Sequence, residues 1–147
     1  MSLAVASRSA ASSLRRLPAV SAPLATLTAT ATALATLAVR NPEQPGHYPV
    51  CPFHAMTGLW CPGCGSLRAL HALTHGDLAT AMQRNILAVL AVPFLAMAWV
   101  AWLGRTLGRP RSTRVAPPAV LWGLLVLIVA FGVVRNLPGA DWLAPQP

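Results

Sequence analysis

Every cysteine and every histidine of this 147-residue chain lies between residues 47 and 75. Outside that window almost no side chain could bind a metal, carry a thiolate or move a proton near neutral pH. The window reads Cys51-Pro52, then Thr57-Gly58, then Cys61-Pro62-Gly63-Cys64-Gly65, then Arg68, His71 and His75. Its chemistry is therefore that of thiols and imidazoles, confined to one short segment. With only three acidic residues in the chain, most hydrolytic mechanisms lack material, and no nucleophile-base-acid set, phosphate loop or paired carboxylate is visible.

The Cys-Pro-Gly-Cys unit leaves four readings open. One is a structural disulfide, within the pair or from Cys51 to one of its members, as suits an exposed loop in an oxidising compartment. A second is a metal. Cys-Pro-x-Cys-Gly is similar to the knuckle of zinc ribbons, where a tight turn aims two thiolates at one ion. Cys51 would then be a third ligand and His54, His71 or His75 a fourth; the candidate set is Cys51, Cys61, Cys64 and His71, with zinc the ion it would suit. A third reading is a redox dithiol with a thiolate at Cys61, although no thioredoxin-like strand pattern surrounds it and Pro-Gly reverses the familiar Gly-Pro order. Free, inert thiols are the fourth.

From Pro62 the pattern turns helical, with Pro fit for a first turn and Gly76 a natural stop after His75. Cys64, Arg68, His71 and His75 recur at spacings of four, three and four, which places them on one face. A cysteine in a first helical turn, one turn from an arginine, is expected to have a depressed pKa. The plainer alternative is the solvated polar face of an interfacial helix. Arg68 is expected to close its fork onto loop carbonyls or onto Asp77, the alternative being a charge that snorkels to the headgroups. Asn85 either hydrogen-bonds the loop or is interfacial, and His47 and His54 read as surface residues. Trp60, Trp99, Trp102, Trp122 and Trp142 read as interfacial anchors or packing.

The elements that must hold this segment are apolar. The chain is 55% hydrophobic and 10% charged, with a mean hydropathy of +0.57, against roughly 25% charged residues in an ordinary soluble domain. Asn85 to Gly104 and Val115 to Val134 run without a charge, each long enough to cross a ~30 Å hydrocarbon core as a helix. Leu17 to Val39 is a weaker third span, because it is built from Ala, Thr and Leu. Its threonines can return their hydroxyls to a carbonyl one turn back. A cleaved signal peptide, a low-complexity linker and an organelle transit peptide are the alternatives there. The expected fold is all-α, with two to three transmembrane helices and a Cys/His loop containing a short interfacial helix.

Charge sets an expected topology. The net charge of +8 does not indicate nucleic acid, since there is no lysine and the arginines flank the spans. Arg8, Arg15, Arg16, Arg105, Arg109, Arg111 and Arg114 share one side, and Arg40, Arg68, Arg84 and Arg135 share the other with all three acids. The positive-inside rule puts the first group in the cytoplasm. The expected organisation is a cytoplasmic tail at 1–16, a helix at 17–39, an extracytoplasmic Cys/His loop at 40–84 and a helix at 85–104. A cytoplasmic arginine-rich link at 105–114, a helix at 115–134 and an outer tail at 135–147 complete it. Within the loop, Tyr48 to Trp60 reads as irregular, and Asp77 as the N-cap of a helix running through Asn85 into the second span. Pro93 could kink that span.

The stretch CPFHAMTGLWCPGCGSLRALHALTHGDLATAMQRN resembles the signature of a family of small bacterial membrane proteins catalogued as domain of unknown function 2752. Cys51, Pro52, Thr57, Gly58, Cys61, Pro62, Gly63, Cys64, Gly65, Arg68, Gly76, Asp77 and Asn85 match its pattern. Ile86 stands where the family usually has Pro, which favours a continuous helix at the membrane entry. His71 and His75 are outside the pattern. The resemblance implies a multi-pass bacterial inner-membrane protein and supplies no activity. The expectation is a non-enzymatic membrane subunit or assembly partner whose loop is pinned by its cysteines. A metal-holding loop and a membrane thiol-disulfide exchanger are the alternatives, with the bilayer and a membrane protein as expected partners and any small-molecule substrate left open.

Overall fold

A computed structural model describes residues 2–44, 46–108 and 117–145, with side chains from residue 20 onward except that of Asp141. Pro45, which with Gly46 forms a pair whose types predict a turn, the link arginines Arg109, Arg111 and Arg114, and the first two residues of the 115–134 span lie outside the described residues. The rest is helical: α1 (Ser2–Val39), α2 (Pro52–Thr57), α3 (Ser66–Thr74), α4 (Leu78–Thr106), α5 (Pro118–Val134) and a closing 3-10 turn at Asp141–Leu143. There is no strand among the described residues.

Val20–Val39 and Leu78–Thr106 are long and apolar enough to cross a membrane, and their most apolar windows are only 11% and 0% buried. A core helix of a soluble protein would be covered. These helices instead present Leu27, Leu90, Phe94, Leu95 and Met97 outward, the surface a helix offers to lipid. α5 is apolar throughout, buries no side chain and has 17 residues, or about 26 Å of helix. It is shorter than the expected 115–134 span. In α1 the threonine hydroxyls are returned to the backbone as expected, from Thr26 to Pro23 O (2.8 Å), Thr28 to Ala25 O (2.9 Å) and Thr36 to Thr32 O (2.9 Å).

Small residues let α3 and α4 meet closely. Ala69, Ala72 and Ala81 are buried at their contact, with Leu73, Ala88 and Val89 packed against them. The hairpin between them is closed by backbone chemistry. Gly76, at φ 76°, follows the last turn of α3 and donates to Leu73 O at 3.0 Å, the left-handed stop for which glycine is suited. Asp77 then accepts from Thr80 N at 2.9 Å and caps α4. α1 leans on this pair, with Trp99 Nε1 donating to Pro23 O (3.1 Å) and His71 Nδ1 to Leu37 O (2.7 Å).

Three local expectations are corrected. The stretch Tyr48 to Trp60 is not wholly irregular, because Pro52 opens α2 and Gly58, at φ 71°, closes it. The short helix begins at Ser66 rather than Pro62, since Gly65 precedes it at φ 84°; Cys64 is therefore outside the helix. Finally, α4 is interrupted at Asn85 (φ −164°, ψ 97°) although no proline follows it, while Pro93 lies in helical backbone. The Asn85 side chain replaces the lost helical bonds: its Oδ1 accepts from Ala88 N at 3.0 Å, so it caps the second stretch of the helix.

Candidate metal centre: a three-sulfur turn

Two overlapping tight turns form the knuckle, with Cys64 N donating to Cys61 O (3.0 Å) and Ser66 N to Gly63 O (3.0 Å). They bring Cys61 Sγ to 3.0 Å from Cys64 Sγ. Cys51, at the mouth of α2, places its sulfur 3.5 Å from that of Cys61. All three sulfurs lie within 4.8 Å of one another. They are free thiols, well beyond the ~2.05 Å of a disulfide bond.

The turn exposes carbonyls that no secondary structure satisfies, and two side chains from distant segments hold them. Asn85 Nδ2 donates to Pro62 O (2.9 Å), Cys64 O (3.1 Å) and Ser66 Oγ (3.1 Å). Arg135, just past α5, donates from Nη1 to Cys61 O (2.8 Å), Pro62 O (3.4 Å) and Cys64 O (3.3 Å), and from Nη2 to Leu143 O (3.0 Å). Both side chains are only 2% exposed. The guanidinium also lies 5.0 Å from the centre of the Phe131 ring, a cation–π contact. No carboxylate pairs with it among the described residues, and its Nε has no partner. Asn136 completes the attachment of α5, exchanging two 2.8 Å bonds with the backbone of Trp60.

Two glycines allow these approaches. A Cβ at Gly65 would collide with the Arg84 carbonyl, and the positive φ already disfavours any other residue. A Cβ at Gly132 would sit 2.8 Å from Pro62 Cγ.

The residues singled out by sequence separate into two groups. Cys51, Cys61, Cys64 and Asn85 come together, with Pro62, Gly63 and Gly65 forming the turn. Arg68 does not clamp it. Arg68 makes no hydrogen bond or ion pair among the described residues and lines the cavity beside the sulfurs. The clamping role expected of Arg68 belongs to Arg135, which sequence reasoning read only as a topology signal. Its position one residue beyond an apolar helix gave no sign of an inward direction. Nor does His71 group with the sulfurs; its Nδ1–H donates to Leu37 O. His54 stacks on Trp60 with ring centres 3.9 Å apart and donates to Leu59 O (3.2 Å). His47 donates to Asn41 O (3.0 Å) and His75 to His71 O (2.9 Å). Thr57 and Gly58 close α2, with Thr57 Oγ1 donating to Phe53 O (2.7 Å). Gly76 and Asp77 shape the α3–α4 hairpin.

The thiols differ in acidity, and in the opposite sense from the expected depressed pKa at Cys64. Burial pushes the Cys64 thiol up to about 12, with its neighbouring sulfurs adding to the rise. Cys51 is held below the ordinary thiol value, chiefly by the backbone amide of His54 in the first turn of α2. Between neutral pH and pH 9, Cys51 therefore gains thiolate ahead of Cys64, which stays protonated. In metal-free, reduced protein, mass-resolved alkylation with a small maleimide should label Cys51 ahead of Cys64 at every pH in that range. Labelling of Cys64 ahead of Cys51 would contradict the arrangement.

The clamp makes a second prediction. Lys cannot reproduce the fork that reaches several carbonyls, so Arg135→Lys loses charge-assisted contacts of roughly 1.5–3 kcal/mol. Protease cleavage between Cys51 and Gly65, measured in matched detergent micelles, should accelerate about tenfold or more. Arg68→Lys should cleave at the parent rate. Equal rates for the two variants would remove Arg135 from its role.

No curated protein matches the chain, and no solved structure does. Residues 51–99, which hold the sulfurs, the α3–α4 hairpin and most of the second apolar helix, match the family model described as Protein of unknown function (DUF2752), the family that the cysteine motif resembles.

Proposed function

We propose that this is a small integral membrane protein whose loop holds one zinc-type metal ion on Cys51, Cys61 and Cys64, in a non-enzymatic, structural or assembly role. The observation that carries this reading is the convergence of three unbonded sulfurs within 4.8 Å. Sulfurs around zinc at ~2.3 Å lie ~3.8 Å apart in a tetrahedral site, inside the span that these thiols already occupy. Charge supports it as well. Three thiolates and one divalent ion leave a single negative charge, and the buried Arg135 guanidinium on the same turn carries a single positive one.

A thiol-disulfide reading has one observation in its favour: Cys61 neighbours both other sulfurs and so could pair with either. The two readings differ in what the isolated protein contains. Purified in mild detergent without chelator, the chain should carry about one equivalent of zinc by elemental analysis. Replacing any one of the three cysteines with serine should lower zinc retention at least ~10-fold, as loss of a first ligand does more than loss of its support. The thiols should then label after chelation without reductant. Metal-free protein whose thiols label only after reduction would establish the disulfide reading instead, and three freely labelled thiols in untreated, metal-free protein would end both.

The same reading places the loop outside the cytoplasm of a bacterial inner membrane, with the N-terminus inside and three passes. The arginine distribution supports it, as do the outward apolar faces of α1 and α4. Reporter fusions after residue 80 and after residue 110 should report opposite compartments, the first periplasmic. A cytoplasmic signal from the residue-80 fusion would invert the topology.

A further inference from the structure

We infer that the metal's fourth coordination position is filled from outside the chain, by a small thiol bearing a carboxylate, with Arg68 holding the carboxylate. This rests on the metal reading above. Zinc takes four ligands, and sites with three protein ligands leave the fourth position to a water or an incoming ligand. Here the protein offers three. Among the described residues, neither a histidine nitrogen nor a carboxylate joins the sulfurs.

The space for a fourth donor is present. A cavity of about 540 Å³ borders Cys51 and Cys64, within the roughly 300–1,000 Å³ range of small-molecule sites. Tyr48 and Trp60 supply aromatic wall, and Arg68 supplies its charge. The carboxylate on that wall, Glu43, is committed to an ion pair with Arg84. Arg68 has no such partner among the described residues, although it is partly shielded from solvent. A free guanidinium beside a thiophilic centre selects a ligand with two ends. The soft metal prefers a thiolate, and the planar fork prefers a carboxylate, which it can grip in two bonds. Binding would exchange a water in the fourth position for the thiolate, forming one metal–sulfur bond and releasing the water and the thiol proton to solvent. No electron is transferred.

The test uses full-length protein in detergent loaded with cobalt(II), whose sulfur-to-metal charge-transfer band reports each added thiolate. The probes are 3-mercaptopropionate, ethanethiol, which lacks the carboxylate, and propionate, which lacks the thiol. 3-Mercaptopropionate should intensify the band and saturate at a concentration at least ~10-fold lower than ethanethiol, as a charge-assisted contact implies. Propionate should leave the charge-transfer band without the added intensity. Arg68→Gln should load cobalt as the parent does and lose the ~10-fold preference, with Arg68→Lys intermediate. If cobalt binds but 3-mercaptopropionate leaves the band unchanged, or if the two thiols saturate alike in the parent, this inference is overturned and the metal reading stands. A preference undiminished in Arg68→Gln overturns the role of Arg68. If cobalt does not bind the three-cysteine protein, the metal reading falls and this inference falls with it.

Discussion

The carbonyls of Pro62 and Cys64 must find donors where no helix or strand supplies them, and that of Cys61 has only the turn's own Cys64 amide, so the structure is organised around donors brought from elsewhere. A buried, unsatisfied carbonyl costs on the order of 1–3 kcal/mol, so a turn that leaves those of Pro62 and Cys64 without donors is costly on its own. Asn85 and Arg135 supply the donors from segments that are remote in sequence. Each of those segments is positioned by its own packing. The alanine contact between α3 and α4 brings Asn85 beneath the turn. The Asn136–Trp60 exchange, with Gly132 open to Pro62, brings Arg135 to its other side. Burying a guanidinium is expensive in itself. It is offset here by four carbonyl contacts and an aromatic face. An anion on the sulfurs would offset it further.

That arrangement separates two tasks within a few residues. The backbone of the knuckle is fixed by donors from α4 and from the end of α5, while its sulfurs are left to one another and to Cys51. Of the histidines weighed as a fourth ligand, His71 ties α3 to α1 and His54 lies on Trp60, and none groups with the sulfurs among the described residues. Three sulfurs within 4.8 Å of one another could hold a metal ion, as we propose.

Much of this was legible from sequence where the signal is local. Charge-free runs revealed the apolar helices, and Gly76-Asp77 revealed the α3–α4 corner because both residues act through their own backbone and the next turn. The sulfur cluster was legible as a window, since cysteines confined to residues 51–64 could hardly avoid one another. What escaped was long-range. Helical spacing put Cys64 and Arg68 on one face, but Gly65 in the left-handed region detaches Cys64 from the helix. The absence of proline after Asn85 suggested continuity, yet the pull of the Pro62 and Cys64 carbonyls on the Asn85 amide coincides with a break there. Arg135 looked like any charge at the end of an apolar helix, because nothing local records which way such a side chain turns. The role of clamp was assigned to the nearer arginine on proximity in sequence, and proximity in sequence was the wrong guide.

The separation between clamp and turn also has a meaning in time. Arg135 lies 74 residues after Cys61. A ribosome adding roughly 5–20 residues per second completes Cys61 some 4–15 s before the guanidinium that will fasten its carbonyl. Throughout that interval the cysteines are on a nascent segment held by Asn85 at most, and they remain accessible until the last apolar helix has been laid down. Fastening of the knuckle by Arg135 is thus a late event in biogenesis, and the sulfurs meet their first surroundings on a turn that is not yet clamped.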